Sequence, residues 1–408
     1  MSQLPIRPVS NDEYESLRRI LHFVFNEAPD DETGEREREF LELDRTLAAF
    51  DGKGVIASAA AYSFDMTIPG GSVPAAGVSW VGVLPTHRRR GVLSSLMRRQ
   101  LDDIRAAGRE PIAALWASEP AIYGRFGYGM ASQTLSLTLP RRSKLRAVPG
   151  SADLRARLVE PEESVPIALP VYDHDRGRRP GMFAMTEVLQ RLRIYLPPHA
   201  RDGMSPLRTV LIEDDADVRA YARYTVKAEW NAGGPDSTVS IREVHGVDSA
   251  AVAAVWAFLL DIDLTARAEV RLRPPDDPLV GMLVDFRRAT AALGDGLYVR
   301  LIDVGAALSA RTYTVPVDVV LDVRDDFCPW NSGRWRLSGD ATGGRCERTG
   351  DPAHVSLDVR ELGATYLGGT SLHALGDSGL VTEHSPGAVR ELSTALRHEP
   401  APWCPLIF

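Results

Sequence analysis

The sequence has little cysteine and almost no lysine. Its 408 residues include only three cysteines, which are Cys328, Cys346 and Cys404. The number is odd and no Cys-x-x-Cys spacing occurs, which argues against a disulfide framework and against a thiolate zinc site. The histidines show no metal-ligand spacing either, so we expect no bound metal. Lysine occurs at three positions, so arginine carries nearly all of the positive charge.

A membrane anchor, a secretory signal and a basic surface are also missing. Residues 1–7 lack the charged and apolar regions of a signal peptide. The longest apolar run, 250–260, ends at Asp261 and is too short to span a bilayer. The formal net charge of −8 argues against nucleic-acid binding, because a protein that follows a phosphate backbone needs a basic surface. We therefore expect a cytoplasmic protein with no membrane insertion and no nucleic-acid partner.

The first third of the chain alternates helical and strand patterns. A capping pair, Ser10 and Glu13, precedes a predicted helix. An apolar strand at 76–83 is followed by an amphipathic helix and a strand at 112–117, which we expect to be parallel with the helix as crossover. The other strands predicted here are 46–50, 55–64 and 133–139. The chain length predicts about two to four domains.

The rest of the chain forms two more predicted segments. The middle segment has helical patterns at 185–195 and 249–260 among strands, and it partly echoes the order of the first third. The last segment begins near residue 295, has alternating valines at 315–321 and a late helix at 386–396, and is α+β in character. We set the predicted domains at 1–142, 143–294 and 295–408.

The stretch from Val78 to Leu96 carries the most chemical information. An apolar strand ends near Val83, a loop containing residues 88–91 follows, and an amphipathic helix begins directly after it. Loop amides and a helix N-terminus present free N–H groups, the arginines add positive charge, and Gly91 permits a close backbone approach. These features suit a diphosphate. The alternative interpretation is a solvated basic turn.

This order of parts resembles the acetyl-CoA motif of the GNAT N-acetyltransferases, in which strand backbone groups meet the pantetheine arm and the loop holds the diphosphate. The pattern usually has Gly or Ala two places after the glycine, where this chain has Leu93. The coenzyme-binding residues that the resemblance implies are Val81, Gly82, Val83, Arg88, Arg89, Arg90, Gly91, Val92 and Leu93. Acetyl-CoA is then the co-substrate.

A second stretch, 115–129, has a tyrosine ahead of a glycine-rich turn. Together with 78–96 it resembles the Eis (enhanced intracellular survival) family of GNAT enzymes, and by that resemblance Tyr123 is the general acid. A phenol has an ordinary pKa near 10 and stays protonated at neutral pH, so it can protonate a departing thiolate. The alternative is a packed aromatic, which is the interpretation that we give Tyr128.

The Eis resemblance also implies a domain plan. It predicts an α/β and α+β multidomain fold, with tandem GNAT-like domains followed by a sterol-carrier-protein-like domain. The middle domain shows no coenzyme motif, so one catalytic site per chain is expected. The apolar end of the chain, 402–408, predicts a docked tail, and the resemblance makes the terminal carboxylate of Phe408 the general base. The alternative interpretation of Phe408 is that its ring anchors the last segment in a hydrophobic groove. A homohexamer is also implied.

The acceptor side of the site is less defined. The acidic residues Glu27, Asp30 and Asp31, after the first helix, could line an amine pocket or belong to the surface. The nearby Phe23 and Phe25 could give that pocket an apolar wall, the alternative being that one of them packs in the core. Ile407 replaces an acidic residue found in some relatives, which speaks against strong aminoglycoside binding. The predicted function is acetyl-CoA-dependent N-acetylation in a ternary complex, with an aminoglycoside-like or polyamine-like amine or a lysine side chain as acceptor. The alternative is a non-catalytic acyl-CoA or lipid carrier.

Overall fold

The computed structural model of the chain describes residues 4–26, 28–52, 54–197, 201 and 203–408. Two compact units share these residues. The first contains the described residues up to Ser132 together with Gly296–Pro402 and Leu406–Phe408. The second contains the described residues of Gln133–Asp295 together with Trp403–Pro405. The end of the chain therefore contributes to each unit in turn.

The N-terminal part of the first unit has six strands and four α-helices in its described residues. The strands are β1 (Ile6–Pro8), β2 (Thr46–Phe50), β3 (Val55–Ile68), β4 (Gly71–Val83), β5 (Ile112–Trp116) and β6 (Gly129–Met130). The helices are α1 (Tyr14–Phe25), α2 (Asp31–Phe40), α3 (Val92–Ala107) and α4 (Pro120–Tyr123). The predicted capping pair is present, because the Ser10 N–H donates to Glu13 Oε2 at 3.0 Å.

The second unit contains the next nine strands and four helices of the described chain. The strands are β7 (Gln133–Pro140), β8 (Arg155–Val159), β9 (Arg208–Glu213), β10 (Val218–Lys227), β11 (Trp230–Asn231), β12 (Gly234–Pro235), β13 (Ser237–Gly246), β14 (Thr265–Arg273) and β15 (Thr290–Asp295). The helices are α5 (Pro161–Arg176), α6 (Glu187–Ile194), α7 (Ser249–Asp261) and α8 (Pro278–Met282).

The chain then returns to the first unit. The remaining strands are β16 (Leu297–Leu301), β17 (Val317–Arg324), β18 (Gly333–Asp340), β19 (Gly343–Arg348), β20 (Val355–Asp358) and β21 (Val381–Glu383). The remaining helices are α9 (Val304–Ser309), α10 (Val359–Thr365), α11 (Leu372–Asp377) and α12 (Ala388–Leu396).

Three larger sheets organise these elements. A seven-stranded sheet in the first unit has the order β1-β2-β3-β4-β5-β16-β6, and a five-stranded sheet in the same unit has the order β19-β18-β17-β20-β21. The seven-stranded sheet of the second unit has the order β15-β7-β14-β13-β10-β9-β8. The expected parallel pairing of β4 with β5 is confirmed, with α3 as the crossover.

Two strands pair differently from the sequence-based placement. The strand predicted to end the first segment, β7, pairs with β14 and β15 in the second unit, where Leu135, Leu137 and Leu139 are buried in the core. The strand predicted to open the third segment, β16, pairs with β5 and β6 in the first unit. Alternation of apolar residues identifies a strand and its buried face, but it does not identify the neighbouring strand.

One long helix was missed because its sequence discourages the prediction. Helix α5 carries Pro166 and Pro170 inside it, and each proline removes a backbone hydrogen bond. Burial of Val165, Ala168 and Val171 in the second unit compensates for these prolines. In the part of the chain that the structure describes, no helix is both long enough and apolar enough to cross a membrane.

Candidate active site

The site begins where two parallel strands of the first unit part. The pairing of β4 with β5 covers only Ala75–Gly77, whereas β4 continues beside β3 as far as Val83. A register shift in the β3–β4 pairing accompanies Trp80, whose φ of 55° lies in the left-handed region. Ser58 Oγ donates a hydrogen bond of 2.7 Å to the Trp80 carbonyl and holds this irregular backbone in place. Beyond Gly77, β4 is therefore no longer paired with β5.

The loop after β4 leads to the N-terminus of α3. Gly91 is the N-cap residue, its φ is 81°, and no side chain caps the helix. The first N–H groups of an α-helix have no partner within the helix, and the helix dipole makes this end attractive to anions. Arg89 also adopts a left-handed backbone, with φ of 61°. The loop therefore leads to an uncapped helix N-terminus of the kind that attracts anions.

A cavity of about 970 Å³ joins the open strand edge to this loop. The sequence-predicted residues that line it are Phe25, Val81, Gly82, Val83, Arg88, Arg89, Gly91, Val92, Leu93, Tyr123 and Phe408. Arg90 and Phe23 are not among the lining residues, and both are exposed. In the described part of the chain, no group of three or more His, Cys, Asp or Glu side chains is placed to hold a metal ion.

Helical geometry explains why one phenylalanine of α1 reaches the cavity and the other does not. Arg18, Leu21, His22 and Phe25 all line the cavity, and Leu21 and His22 lie three or four positions from both Arg18 and Phe25, so the four share one helix face. Phe23 lies off this face and is 65% exposed. Phe23 therefore does not line this cavity, unlike Phe25.

Two of the three predicted acidic residues, Asp30 and Asp31, do not line the cavity. Glu27 lies outside the described residues. The Asp30 carboxylate accepts the Thr33 N–H at 3.1 Å and caps α2, and Asp31 is exposed in the first turn of that helix. Neither Asp30 nor Asp31 lines the cavity. Their sequence position next to a helix start explains both placements.

The carboxylate side chains that do line the cavity are Glu37 and Glu119. Sequence reasoning missed Glu37, although it follows Gly34, the buried residue of α2, by three positions and so shares its face. Burial first, and then the charge of Glu37, raise the pKa of Tyr14 to about 12. This carboxylate places negative charge on one side of the cavity.

Tyr123 ends α4 and lines the cavity, whereas Tyr128 is buried behind it. Their ring centroids are 6.1 Å apart in an edge-to-face arrangement. Burial, assisted by the charge of Glu119, raises the pKa of Tyr123 to about 12. The Tyr128 hydroxyl is buried without a hydrogen-bond partner, as expected for a packed aromatic.

The turn that follows Tyr123 is held by a buried arginine that the sequence did not reveal. Arg300 of β16 donates from Nη1 to the Phe126 carbonyl at 2.6 Å and pairs through Nη2 with Asp325 Oδ2 at 2.5 Å. A side chain at Gly127 would collide with the Arg300 guanidinium, so this glycine also permits the close approach. Arg300 thus fixes the backbone just behind the candidate acid.

The last three residues of the chain complete the site in the first unit. Trp116, the final residue of β5, donates its indole N–H to the Leu406 carbonyl at 2.6 Å. The Phe408 ring meets Phe64 edge to face at 5.0 Å and lies against Gly77, the last β4 residue paired with β5. Ile407 is 60% exposed and lines the cavity together with Phe408. The prediction of a docked tail is confirmed.

Comparisons with known proteins assign the chain to a family. Acetyltransferase (GNAT) domain profiles match residues 5–131 and 181–301, and a sterol carrier protein domain profile matches residues 304–405. These matches confirm the predicted fold class of tandem GNAT-like domains followed by a sterol-carrier-like domain. A protein of Streptomyces avermitilis named as an uncharacterized N-acetyltransferase is 49% identical over 366 residues, which is 89% of each chain.

Two relatives carry the family name. The N-acetyltransferase Eis of Mycobacterium tuberculosis is 32% identical over 375 residues and 88% of each chain. The crystal structure of Eis1 from Mycobacterium abscessus superposes with a TM-score of 0.83 at 31% identity, covering 99% of this chain and 100% of that one. The chain therefore belongs to the Eis family of N-acetyltransferases.

Proposed function

We propose that this N-acetyltransferase transfers the acetyl group of acetyl-CoA directly to a primary amine while both are bound. The observation that carries the proposal is that one cavity is lined by the loop after β4, the open edge of β4, Tyr123 and Phe408. Groups for holding an anionic carrier, donating a proton and accepting a proton are thus collected around a single volume. Holding both reactants together supplies much of the acceleration in such a reaction.

The residues present fit a coenzyme with a diphosphate. Arg88 and Arg89 line the cavity beside the uncapped start of α3, and the space next to the Gly91 Cα is open. Val81 to Val83 line the cavity beyond the end of the β4–β5 pairing, where an extended arm with amide groups can meet the strand backbone. When bound, acetyl-CoA supplies the thioester that is the acetyl donor.

Proton movement is proposed to use two groups of the chain. The carboxylate of Phe408, the last residue of the sequence, takes a proton from the acceptor ammonium, so that the neutral nitrogen forms the bond to the acetyl carbon. Tyr123 gives its phenolic proton to the sulfur as the carbon–sulfur bond breaks and coenzyme A leaves as the thiol. The second proton that the nitrogen loses as the amide forms restores the phenol. Its pKa of about 12 keeps the phenol protonated throughout the neutral range. A carboxylate is a weak base in water, and partial burial strengthens it.

The acceptor is proposed to be a small amine or a lysine side chain. The cavity offers Glu37 to a cation and aromatic surfaces from Phe25, Trp80, Trp116 and Phe408 to the body that carries it. The nonpolar Ile407 removes one possible ionic contact beside the terminal residue. This combination favours acceptors with one or two amino groups, such as simple polyamines, over aminoglycosides with many.

The remaining family-based expectations stay proposals. We propose that residues 1–142 form the catalytic GNAT domain, 143–294 a GNAT-like domain without a coenzyme motif, and 295–408 a sterol-carrier-like domain. We also propose that the enzyme is a cytoplasmic homohexamer and that no metal takes part in the reaction. Light scattering on the purified protein measures the subunit number directly. Activity after exhaustive treatment with a chelator tests the independence from metal.

The function is tested by thiol release from acetyl-CoA against a panel of aminoglycosides, polyamines and lysine peptides. We expect turnover with small amines and a loss of about 100-fold when Phe408 is deleted, which is typical of removing a general base. Unchanged turnover after that deletion contradicts the base assignment. Tight acetyl-CoA binding with no turnover of any acceptor would instead favour a non-catalytic carrier.

A further inference from the structure

The second unit repeats the strand–helix–strand arrangement of the catalytic domain. Strand β13 pairs in parallel with β14 over Ser237–Ile241, and α7 connects the two strands as α3 connects β4 and β5. Beyond Ile241 the parallel register with β14 ends, and β13 continues to Gly246 beside β10. A second strand split therefore exists, equivalent to the one that opens the coenzyme cavity in the first unit.

This second split is not suited to a diphosphate. The N-cap residue of α7 is Asp248, whose carboxylate accepts the Ala251 N–H at 2.8 Å and also pairs with Arg219 at 2.5 Å. A carboxylate thus occupies the anion-attracting end of the helix, where α3 has the uncapped Gly91. The second unit therefore repeats the strand arrangement of the coenzyme cleft, but the negative charge of Asp248 at the helix N-terminus would repel a diphosphate.

A tryptophan from the end of the chain fills the split instead. The Trp403 ring lies 5.2 Å from the ring of His245 in β13, and its indole N–H donates to the Leu272 carbonyl in β14. The Arg273 guanidinium lies 4.8 Å from the centre of the indole and donates to the Val244 carbonyl at 2.6 Å. Trp403 is 1% exposed. The two diverging strands are joined by these side chains.

A second contact holds the tail two residues further on. Arg193 Nη2 donates to the Pro405 carbonyl at 3.1 Å and pairs with Glu243 Oε2, also at 3.1 Å. Burial alone would raise the pKa of Glu243, but Arg193 and Arg223 lower it to about 2. The carboxylate is therefore ionised at neutral pH and orients the Arg193 guanidinium toward the tail.

We infer that the strand split of the second acetyltransferase fold is a receptor for the chain's own tail, and that Trp403 and Arg193 are positioning residues for the Phe408 carboxylate. The inference rests on the proposed function, in which that carboxylate is the base. Only three residues follow Pro405, and three extended residues span about 10 Å. An anchor this close confines the carboxylate to a small volume, as proton transfer at a fixed atom requires.

The test uses the full chain and five variants: Trp403→Ala, Trp403→Phe, deletion of Phe408, the combination of Trp403→Ala with that deletion, and Trp256→Phe as matched control. Trp256 is an equally buried tryptophan of the second unit whose indole N–H has no hydrogen-bond partner, and it lies in the α7 core away from the tail. Each variant is assayed for kcat and KM from pH 6 to pH 10 and for acetyl-CoA affinity by calorimetry.

We expect Trp403→Ala to lower kcat about 100-fold at neutral pH, as deletion of Phe408 does, with acetyl-CoA affinity unchanged. Both deficits should shrink at high pH, because a neutral amine no longer needs a base to remove its extra proton. Combining Trp403→Ala with the deletion should be no slower than the deletion alone. Trp403→Phe, which keeps the ring and loses one hydrogen bond, should cost about fivefold, and Trp256→Phe should leave kcat unchanged.

The outcomes separate the two proposals. If deletion of Phe408 slows the enzyme but folded Trp403→Ala and Trp403→Phe keep full kcat, the tail-receptor inference is overturned and the base assignment stands. If the deletion has no effect, the base assignment fails and the positioning role fails with it. A Trp403 deficit that is equal at every pH, or that adds fully to the deletion, also overturns the inference. If Trp403→Ala does not fold, the Trp403→Phe and Trp256→Phe pair decides.

Discussion

Tyr123 and Tyr128 show how little sequence distance separates a cavity residue from a core residue. Both are aromatic, both flank the same glycine-rich turn, and both are at most 9% exposed. The difference lies in the hydroxyl groups, since Tyr123 lines the cavity and the Tyr128 hydroxyl is buried without a partner. The sequence ranked the two by resemblance, and the cavity gives the ranking a physical basis.

Replacement of Tyr123 by phenylalanine should lower kcat about 100-fold, because the departing thiolate loses its proton donor. The KM for acetyl-CoA should change little, since the ring remains. Because the pKa of Tyr123 is about 12, the wild-type rate should show no fall from phenol ionisation below about pH 11. Stopped-time thiol-release assays across pH measure both quantities.

Tyr128→Phe is the matched control for this prediction. It removes a hydroxyl that makes no hydrogen bond and should leave kcat within about twofold. Equal losses in the two variants would show that ring packing, and not proton donation, accounts for the effect.

Two adjacent arginines in the loop after β4, Arg89 and Arg90, should also differ in their effect on the enzyme. Arg89 lines the cavity and Arg90 does not. Arg89→Ala is expected to raise the KM for acetyl-CoA about tenfold through loss of a charged contact to phosphate, whereas Arg90→Ala should change it little. Acetyl-pantetheine, which lacks the diphosphate, should not distinguish Arg89→Ala from the wild type. A larger effect of Arg90→Ala would contradict the assignment of the loop.

Most helices and strands around the cavity lie where the local sequence pattern predicts them. Strand β2 matches the predicted 46–50, and α3 is the predicted amphipathic helix, which buries Leu96, Met97, Leu101 and Ile104. The acidic loop is the exception. Asp30 caps α2. The presence of acidic residues in the sequence did not show whether the Asp30 carboxylate would contact a ligand or cap the next helix, because that depends on the direction of the helix.

Helix α3 provides a test at both of its ends. Gly91 and Gly108 flank it with φ of 81° and 64°, and at both positions the space that an alanine Cβ would occupy is open, with no atom within 4 Å. Alanine at either position should cost about 1 kcal/mol through left-handed backbone strain. Only Gly91→Ala should also weaken acetyl-CoA binding, by about tenfold, because it moves the N–H groups at the mouth of the cavity.

Calorimetry of acetyl-CoA binding and thermal unfolding measure these two effects separately. Similar losses of stability with unequal losses of affinity are the expected pattern. If Gly108→Ala weakens binding as much as Gly91→Ala does, the helix N-terminus is not the anion site.

For the whole molecule, the chain order of strands differs from their order in the sheets. All five residues of β16 are buried, and they lie between β5 and β6 although 165 positions separate Leu297 from Ser132, its hydrogen-bond partner beyond β6. We predict that a fragment of residues 1–142 neither unfolds cooperatively nor binds acetyl-CoA. It lacks β16 and Arg300, and it exposes the apolar face of β7, which has no partner there.

Circular dichroism during heating and calorimetric titration with acetyl-CoA check this prediction against the full chain. A cooperative, coenzyme-binding fragment would show that the first sheet can close without β16. The end of the chain is likewise shared, because Trp403 to Pro405 belong to the second unit and Leu406 to Phe408 belong to the first.

Residues close together in the chain were enough to predict the local elements, the loop proposed to bind the diphosphate, the candidate acid and the family resemblance. The three-dimensional fold was needed to show which face of α1 lines the cavity, that Glu37 lines it in place of Asp30 and Asp31, that Arg300 supports the turn after Tyr123, and where the tail is anchored. These features depend on strand partners and buried contacts between distant residues, and periodicity within a segment contains no information about its partner in space.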